Sequence, residues 1–488
     1  YIMGFKDLRE YIDRLEKEGE LLRIKEEVDW NLEIGAIIRR SYDLKAPAPL
    51  FENIKDYKKG YRILGAPAGV SNNPDRYFAR VAISLGMDPG SKAPDIIEEY
   101  IKRKKNPIKP IIVNRGPCKE NIHIGDDVNL FNLPAPIIHE GDGGRYIGTW
   151  HIVVTKDPDS EWVNWGMYRL MIHDERSMGG VLVPPQHIGK MYYEKYELRN
   201  KPMEFAVAIG GDPVIPIVGC AMMPAYVNEV DIAGALRKEP VELVKCETVN
   251  LYVPASSEIV IEGEILPYER KEEGPFGEYV GYRASEKSPK PVYRVKAITH
   301  RNDPILTVSN MGVPIDDCHA VMPLTMAAEV LDELRTKGIP VKMVYLPPEG
   351  VSHMIFVSTK VPYPNFAKKV AHSVWGTTPG TYIYYVVVVD DDVDVTNIGE
   401  VIHAFTTRCH PYRGIYPFKD TPIYPLLIPF LSPENRLKGT DGGYVLFDCT
   451  WPKDWAQNDI PIKASFDILW PKDIQEKVLE KWNKYGYK

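Results

Sequence analysis

The chain lacks most of the short signatures that announce a chemistry. Among 488 residues there are six cysteines, at 118, 220, 246, 318, 409 and 449, and no two of them are spaced as Cys-x-x-Cys. Scattered in this way through a long chain, they argue against a disulfide framework. The cysteines read as reduced thiols, and the expected compartment is a reducing cytoplasm. No Gly-x-Gly-x-x-Gly follows a strand pattern and no Walker A sequence occurs, so neither a Rossmann nor a P-loop phosphate cradle is on offer. Lys+Arg number 60 against 67 Asp+Glu, a formal net charge of -7, with no long block of one sign. A nucleic-acid groove is excluded on that ground. The longest apolar run, Tyr382 to Val389, is far shorter than the roughly 20 residues that span a bilayer, and reads as one buried strand. The opening FKDLREYIDRLEKEGELLRI has no apolar stretch and mixes acids with bases, so neither a signal nor a transit peptide is expected.

What the sequence does have is length and punctuation. A chain of this size buries two or three cores, and 37 glycines and 42 prolines divide it. Residues 1–110 read as an α/β domain: an amphipathic helix, a strand at LLRIKEEV, a helix from Leu32 to Ser41, strands at APLFENI and GYRILGAP, and helices at Asp75 to Leu85 and Asp95 to Arg103. KRKKNPIKP marks the first boundary. From 111 to 320 short strands dominate: TWHIVVTK, EWVNWGMYRLMI, EFAVAIGG, IPIVGCAM, EIVIEGEI, PVYRVKAITH and PILTVSN, with one helix intruding at Glu229 to Arg237. This pattern predicts a barrel or a sandwich. A helix at 321–338, centred on PLTMAAEVLDELRTK, links to a strand–helix–strand unit over 339–460, and 461–488 ends in a helix whose apolar stripe needs a partner surface. The fold class is α+β.

Four segments could carry chemistry. In Glu272-Glu273-Gly274-Pro275-Phe276-Gly277-Glu278 the Gly-Pro-Phe-Gly insert forbids helix and strand and predicts a turn that returns Glu273 and Glu278 to one side. Converging carboxylates are a means of holding one acid ionised and one protonated; a solvated acidic turn is the alternative. EWVNWGMYRLMIHD sets Asn164 and Arg169 among large apolar neighbours, so a buried Arg169 needs an anionic partner. The two have opposite strand parity, and a shared site requires a bulge, placed at Gly166; otherwise one of them faces water. His187, after Pro184-Pro185-Gln186, sits in a segment that cannot be a central strand, where a structural hydrogen bond is the ordinary role. Glu229 opens a helix after Asn228 as N-cap, and an acid at the positive helix end is the bland reading.

Taken together, Asn164, Arg169, His187, Glu229 and the Glu273 to Glu278 box resemble the prenylated-FMN-dependent decarboxylases of the UbiD family, closest in feel to the hydroxyarene (phenolic acid) members. The resemblance runs over essentially the whole chain, through FKDLREYIDRLEKEGELLRI, DIAGALRKEPVELVKCETVNLYVPASSEIVIEGEI, EGPFGEYVGY and VVVVDDDVDVTNIGEVIHAFTTR. It implies a split β-barrel-like flavin-binding domain over 111–320, a linker helix and a C-terminal α/β oligomerisation domain that makes homodimers or homohexamers. It implies catalytic roles for Arg169, Glu273 and Glu278. Asn164, His187 and Glu229 are implied to hold a divalent metal, commonly Mn²⁺, on the cofactor phosphate, with K⁺ nearby; an amide oxygen, an imidazole and a carboxylate suit that kind of ion. Thr149, Trp150, Gln186, Cys220 and Ala221 match positions that line the flavin. The implied reaction is reversible non-oxidative decarboxylation of an aromatic acid to CO₂, with a flavin prenyltransferase supplying the cofactor. Glu278 is expected to be the proton donor, Arg169 to pair with Glu273, and metal rather than lysine to meet the phosphate. The tail GGYVLFDCTWPKDW points to a phenolic or catecholic acid. Other unsaturated or aryl-CoA acids, a subunit of an aryl carboxylase complex, and a metal-dependent phosphohydrolase are the alternatives. His319 has no expected role beyond core or surface.

Overall fold

Asp7 accepts the Glu10 N–H at 2.9 Å and starts the first helix, Leu8–Lys17, which buries Leu8, Tyr11, Ile12 and Leu15. This helix packs beside a small mixed sheet in the computed structural model, which describes residues 4–423 and 428–488. The sheet order is Leu21–Ile24, Ala48–Phe51, Arg62–Gly65, Ile305–Val308. The last strand corrects a sequence expectation: PILTVSN is a strand, but it leaves the central array and pairs parallel to Arg62–Gly65. Glu258 makes the diversion, because it accepts both Arg9 nitrogens at 3.0 and 3.1 Å and the Ile305 N–H at 3.2 Å.

The central sheet runs Tyr146–Gly148, Leu170–Asp174, Ser177–Gly180, Ser288–His300, Ile259–Glu273, Met203–Ile209, His151–Lys156, Val163–Gly166, with Asn121–Ile124 also paired to Ser288–His300. Laid flat, the first and seventh of these strands would be roughly 29 Å apart at the usual strand spacing. The chain from Gly148 to His151 reaches about 11 Å at most. The link from Gly166 to Leu170 likewise joins the last strand to the second. Both links can be made only if the sheet curls until its ends approach, so connectivity alone enforces a split barrel. The three-stranded sheet Tyr252–Pro254, Glu242–Lys245, Ile111–Ile112 lies apart from it.

Two helical insertions correct the expectation of a single one. IPIVGCAM is the helix Val214–Cys220, although its β-branched residues favour a strand. Asp212, two residues ahead, accepts the Val214 N–H at 2.9 Å, and the helix is buried against His151–Lys156 and the linker helix, so packing overrides propensity. The second insertion runs from His187 to Arg199 in three short helical pieces. The linker helix spans Asp317–Thr336, starting ahead of Pro323 because Asp316 accepts the Cys318 and His319 N–H groups. The C-terminal sheet has the order Val341–Tyr345, Met354–Thr359, Tyr385–Asp390, Gly443–Cys449, Ile415–Lys419. Its middle strand carries the long apolar run, buried on both faces as parallel central strands require. The terminal helix Lys472–Glu480 buries none of its side chains.

Candidate active site

The two short links that close the barrel are where the site forms. A cavity of about 970 Å³ is lined by Thr149 from the first link, by Met167, Tyr168 and Arg169 from the second, and by Asn164 at the strand before it. His151 Nε2 lies 2.8 Å from the Tyr168 carbonyl, and the Met167 N–H donates to Gly219 at 3.1 Å, so the second link is pinned from two sides. The expected bulge at Gly166 is instead the end of a strand. Asn164 and Arg169 share the cavity because the chain crosses the gap between them.

The Arg169 side chain is only 7% exposed and joins both carboxylates of the acidic turn. Its Nε and Nη2 donate to Glu273 at 3.0 and 2.9 Å, and its Nη1 pairs with Glu278. Glu273 ends its strand fully buried and also accepts the Tyr146 hydroxyl at 2.8 Å. The turn that brings Glu278 back runs through Gly274, at φ 87°, a conformation that side-chain-bearing residues rarely adopt. Phe276 is buried against the Tyr146 ring, 4.1 Å between centroids, and Arg169 lies over its face. Gly277 sits so close to His139 that a Cβ would stand 2.8 Å from the ring. Phe276 thus acts as the peg that fixes the turn, and the solvated-turn alternative is excluded by the burial of both acids.

Asn164, His187 and Glu229 line the same cavity. Asn164 donates its amide to the Tyr168 hydroxyl at 3.1 Å, which leaves its carbonyl oxygen to meet a cation. Burial, then the charge of Lys190, lowers the His187 pKa to about 4, so its imidazole is neutral and can ligate. Glu229 accepts the Trp165 N–H at 3.0 Å, yet burial raises its pKa to about 8. Among the described residues no lysine or arginine forms an ion pair with it. A buried carboxylate in this condition lacks a cation, and a divalent ion held by all three side chains would supply it. Asn228 does not cap the Glu229 helix with its side chain; its oxygen takes the Val163 N–H at 2.9 Å and ties helix to strand.

The remaining expected residues divide. Thr149, Gln186, Cys220 and Ala221 line the cavity. Thr149 Oγ1 accepts the Ser309 N–H at 3.0 Å, and burial pushes the Cys220 thiol up to about 12, too high for a nucleophile at neutral pH. Trp150 is buried in the core, with its carbonyl accepting from Thr307 at 2.7 Å, and is not among the lining residues. Two lysines escaped sequence reasoning. Lys190 follows His187 by one helical turn, and Lys290 stands within electrostatic reach of Glu273 and Arg169, its pKa lowered by burial. Lys190 lines the cavity beside His187, and its signal was the three-residue spacing from that histidine. Lys290, between two prolines in a strand, gave no such signal.

Three family models match in order: the 3-octaprenyl-4-hydroxybenzoate carboxy-lyase N-terminal domain over 12–100, its Rift-related domain over 111–314 and its C-terminal domain over 319–449. The chain is 37% identical over 490 residues to pyrrole-2-carboxylic acid decarboxylase of Pseudomonas aeruginosa, covering 99% of this chain and 98% of the relative. It is 35% identical over 497 residues to ferulic acid decarboxylase 1 of Saccharomyces cerevisiae, with the same coverage. Among solved structures, Sedimentibacter hydroxybenzoicus vanillic acid decarboxylase in closed form superposes with a TM-score of 0.86 at 33% identity, covering 99% of both chains. An evolved dimeric form of the UbiD-class enzyme HmfF from Pelotomaculum thermopropionicum, in complex with prFMN, gives 0.78 at 30% identity, covering 94% of this chain and 97% of the other. With all three domain models matched in order over most of its length, the chain belongs to the UbiD family of decarboxylases.

Proposed function

We propose that the chain decarboxylates a phenolic or catecholic acid reversibly, with prenylated FMN in the large cavity and Mn²⁺ or a similar ion on Asn164, His187 and Glu229. The observation that carries this reading is the Arg169 fork, which ties a walled-off acid and a cavity-facing acid to one guanidinium. When bound, prenylated FMN supplies the electron-accepting centre for the charge that departing CO₂ leaves behind.

The protein's own part is orientation and proton control. Glu273 has three N–H or O–H donors around it and no face on the cavity, so it serves as the fixed acceptor that orients Arg169. Arg169 in turn presents positive charge where a substrate carboxylate must lie. Glu278 reaches the cavity and holds the proton that the substrate carbon takes once CO₂ has left. With two carboxylates set on one guanidinium, a proton on Glu278 reduces the charge the pocket has to bury. Lys190, beside His187, and the metal would together meet the cofactor phosphate.

The solved relatives include a dimeric form, and the tail of this chain supports self-association. Ile462, Ile468, Leu469 and Leu479 are 74%, 49%, 49% and 62% exposed. Such a surface fits burial against a second copy. Among the described residues no helix is long and apolar enough to cross a membrane.

The test is Glu278→Gln in protein coexpressed with a flavin prenyltransferase. The variant is expected to retain flavin and metal by mass spectrometry while CO₂ release and deuterium exchange into product fall about a thousandfold. Turnover at the wild-type rate would refute the role of Glu278, and the absence of flavin from the wild-type protein would refute the whole reading.

A further inference from the structure

A second cavity, of about 450 Å³, lies between Trp30, Tyr57 and Tyr61 of the N-terminal segment and the strands that carry His123 and His300. Those strands pair antiparallel with His123 opposite Ile298, so the two histidines are diagonal neighbours on one face. Their rings lie within 14° of parallel at 5.3 Å between centroids, with the Nε2 atoms 3.2 Å apart. The centroid separation exceeds the nitrogen separation by about two ring radii, so the rings meet Nε2 to Nε2 instead of stacking face on face.

The other ring nitrogens fix the tautomers. His123 Nδ1 is 2.7 Å from the Asp127 carboxylate, and His300 Nδ1 is 2.7 Å from the Arg301 carbonyl. Each Nδ1 therefore faces an acceptor and carries a proton. The two Nε2 atoms of the neutral rings then turn their lone pairs toward the same space, an arrangement that a shared cation relieves. A proton is one candidate and a metal ion the other. Two nitrogens at ordinary distances from a tetrahedral zinc ion stand about 3.3 Å apart, close to the spacing seen. A carboxylate and a backbone carbonyl on the distal N–H groups are the partners that orient metal-bound imidazoles. Burial also lowers the His300 pKa, which works against the proton. Among the described residues no group of three or more His, Cys, Asp or Glu side chains could hold a metal. The cavity leaves the remaining coordination positions to water.

We propose that His123 and His300 bind one divalent transition-metal ion, zinc, nickel or copper, through their Nε2 atoms. Imidazole pairs suit these ions and not magnesium or calcium. The site is separate from the cavity that holds Asn164, His187 and Glu229.

The experiment titrates Zn²⁺ calorimetrically into the full, cofactor-loaded protein in saturating Mn²⁺, comparing wild type with His123→Ala and Asp127→Asn. Wild type is expected to take up one more zinc per chain than His123→Ala. Asp127→Asn keeps both imidazoles and is expected to bind that ion about 10- to 100-fold more weakly. Asp127 is largely exposed, so this variant reads the site without disturbing the core. Equal zinc stoichiometry and affinity in all three proteins, the behaviour of a pair that merely shares a proton, would overturn the proposal.

Discussion

His319 Nε2 lies 2.5 Å from the carbonyl oxygen of Tyr279, the residue that follows Glu278. His319 is fully buried at the start of the linker helix, where its Nδ1 accepts the Asp316 N–H at 3.1 Å. That pairing makes Nε2–H the donor and clamps the backbone one residue from the proposed proton donor. Tyr279 is held at its other end too, its hydroxyl 3.3 Å from His353 Nε2 in the C-terminal domain.

Loss of the His319 clamp should show in turnover before it shows in binding. Leaving the Tyr279 carbonyl unpaired costs about 1–3 kcal/mol, or roughly 5- to 150-fold in rate if the cost falls on the transition state alone. His319→Ala should lower kcat within that range with little change in KM and full flavin content. Steady-state kinetics with cofactor quantification would decide it, and an equal rise in KM would assign His319 a purely structural role.

Arg169→Lys should be worse than its charge suggests. An ammonium cannot make the two parallel bonds to Glu273 while reaching Glu278. Decarboxylation should fall at least about a hundredfold. Arg169→Met, which strands two buried acids, should also cost about 3–5 kcal/mol in denaturant unfolding.

Glu229→Gln separates cofactor retention from fold. The variant should lose metal and retain less flavin after gel filtration. Its metal-free form should be no less stable than metal-free wild type, because a neutral amide removes a buried carboxylate that has no cation. Paired metal analysis and urea unfolding check both halves.

His353 gives a pH signature. Burial lowers its pKa to about 4, against an ordinary value of 6.5. Between those two values the unfolded chain binds the proton and the folded one does not, so stability falls as pH drops through that window. The loss amounts to about 3 kcal/mol. Asp212 and Asp317, both raised to about 6 by burial, act in the opposite sense below pH 6. The informative quantity is therefore the stability difference between wild type and His353→Asn, which should shrink by about 3 kcal/mol from pH 7 to pH 4.

Removal of residues 456–488 should change the oligomeric state and leave the cavity intact. Light scattering on the truncated and full chains tests this; an unchanged mass would mean that the exposed tail is not the contact.

Local chemistry carried the site further than the fold. The turn from Glu273 to Glu278 was legible because Gly274, Pro275 and Gly277 admit few backbones, whereas Asn164, His187 and Glu229, each weak alone, were grouped only by the family resemblance. The helix Val214–Cys220 was not legible, since its residues prefer a strand and only burial against other elements decides otherwise. The fourth strand of the N-terminal sheet was read as a strand but placed in the barrel for a related reason: the Arg9–Glu258 pairing that redirects the chain spans 249 positions. His319 and Lys290 act on groups far from them in sequence, where periodicity has nothing to say.

The links Gly148 to His151 and Gly166 to Leu170 also bear on the order of assembly. Each joins strands from opposite ends of the sheet order, so its course is fixed only when the strands between them have paired. Arg169 therefore has no fixed address in a chain whose barrel is still open, and a partly folded molecule holds Glu273 and Glu278 without the cation between them. Extra residues spliced into either link would loosen the barrel and the guanidinium together. The same insertion in the exposed tail would touch neither.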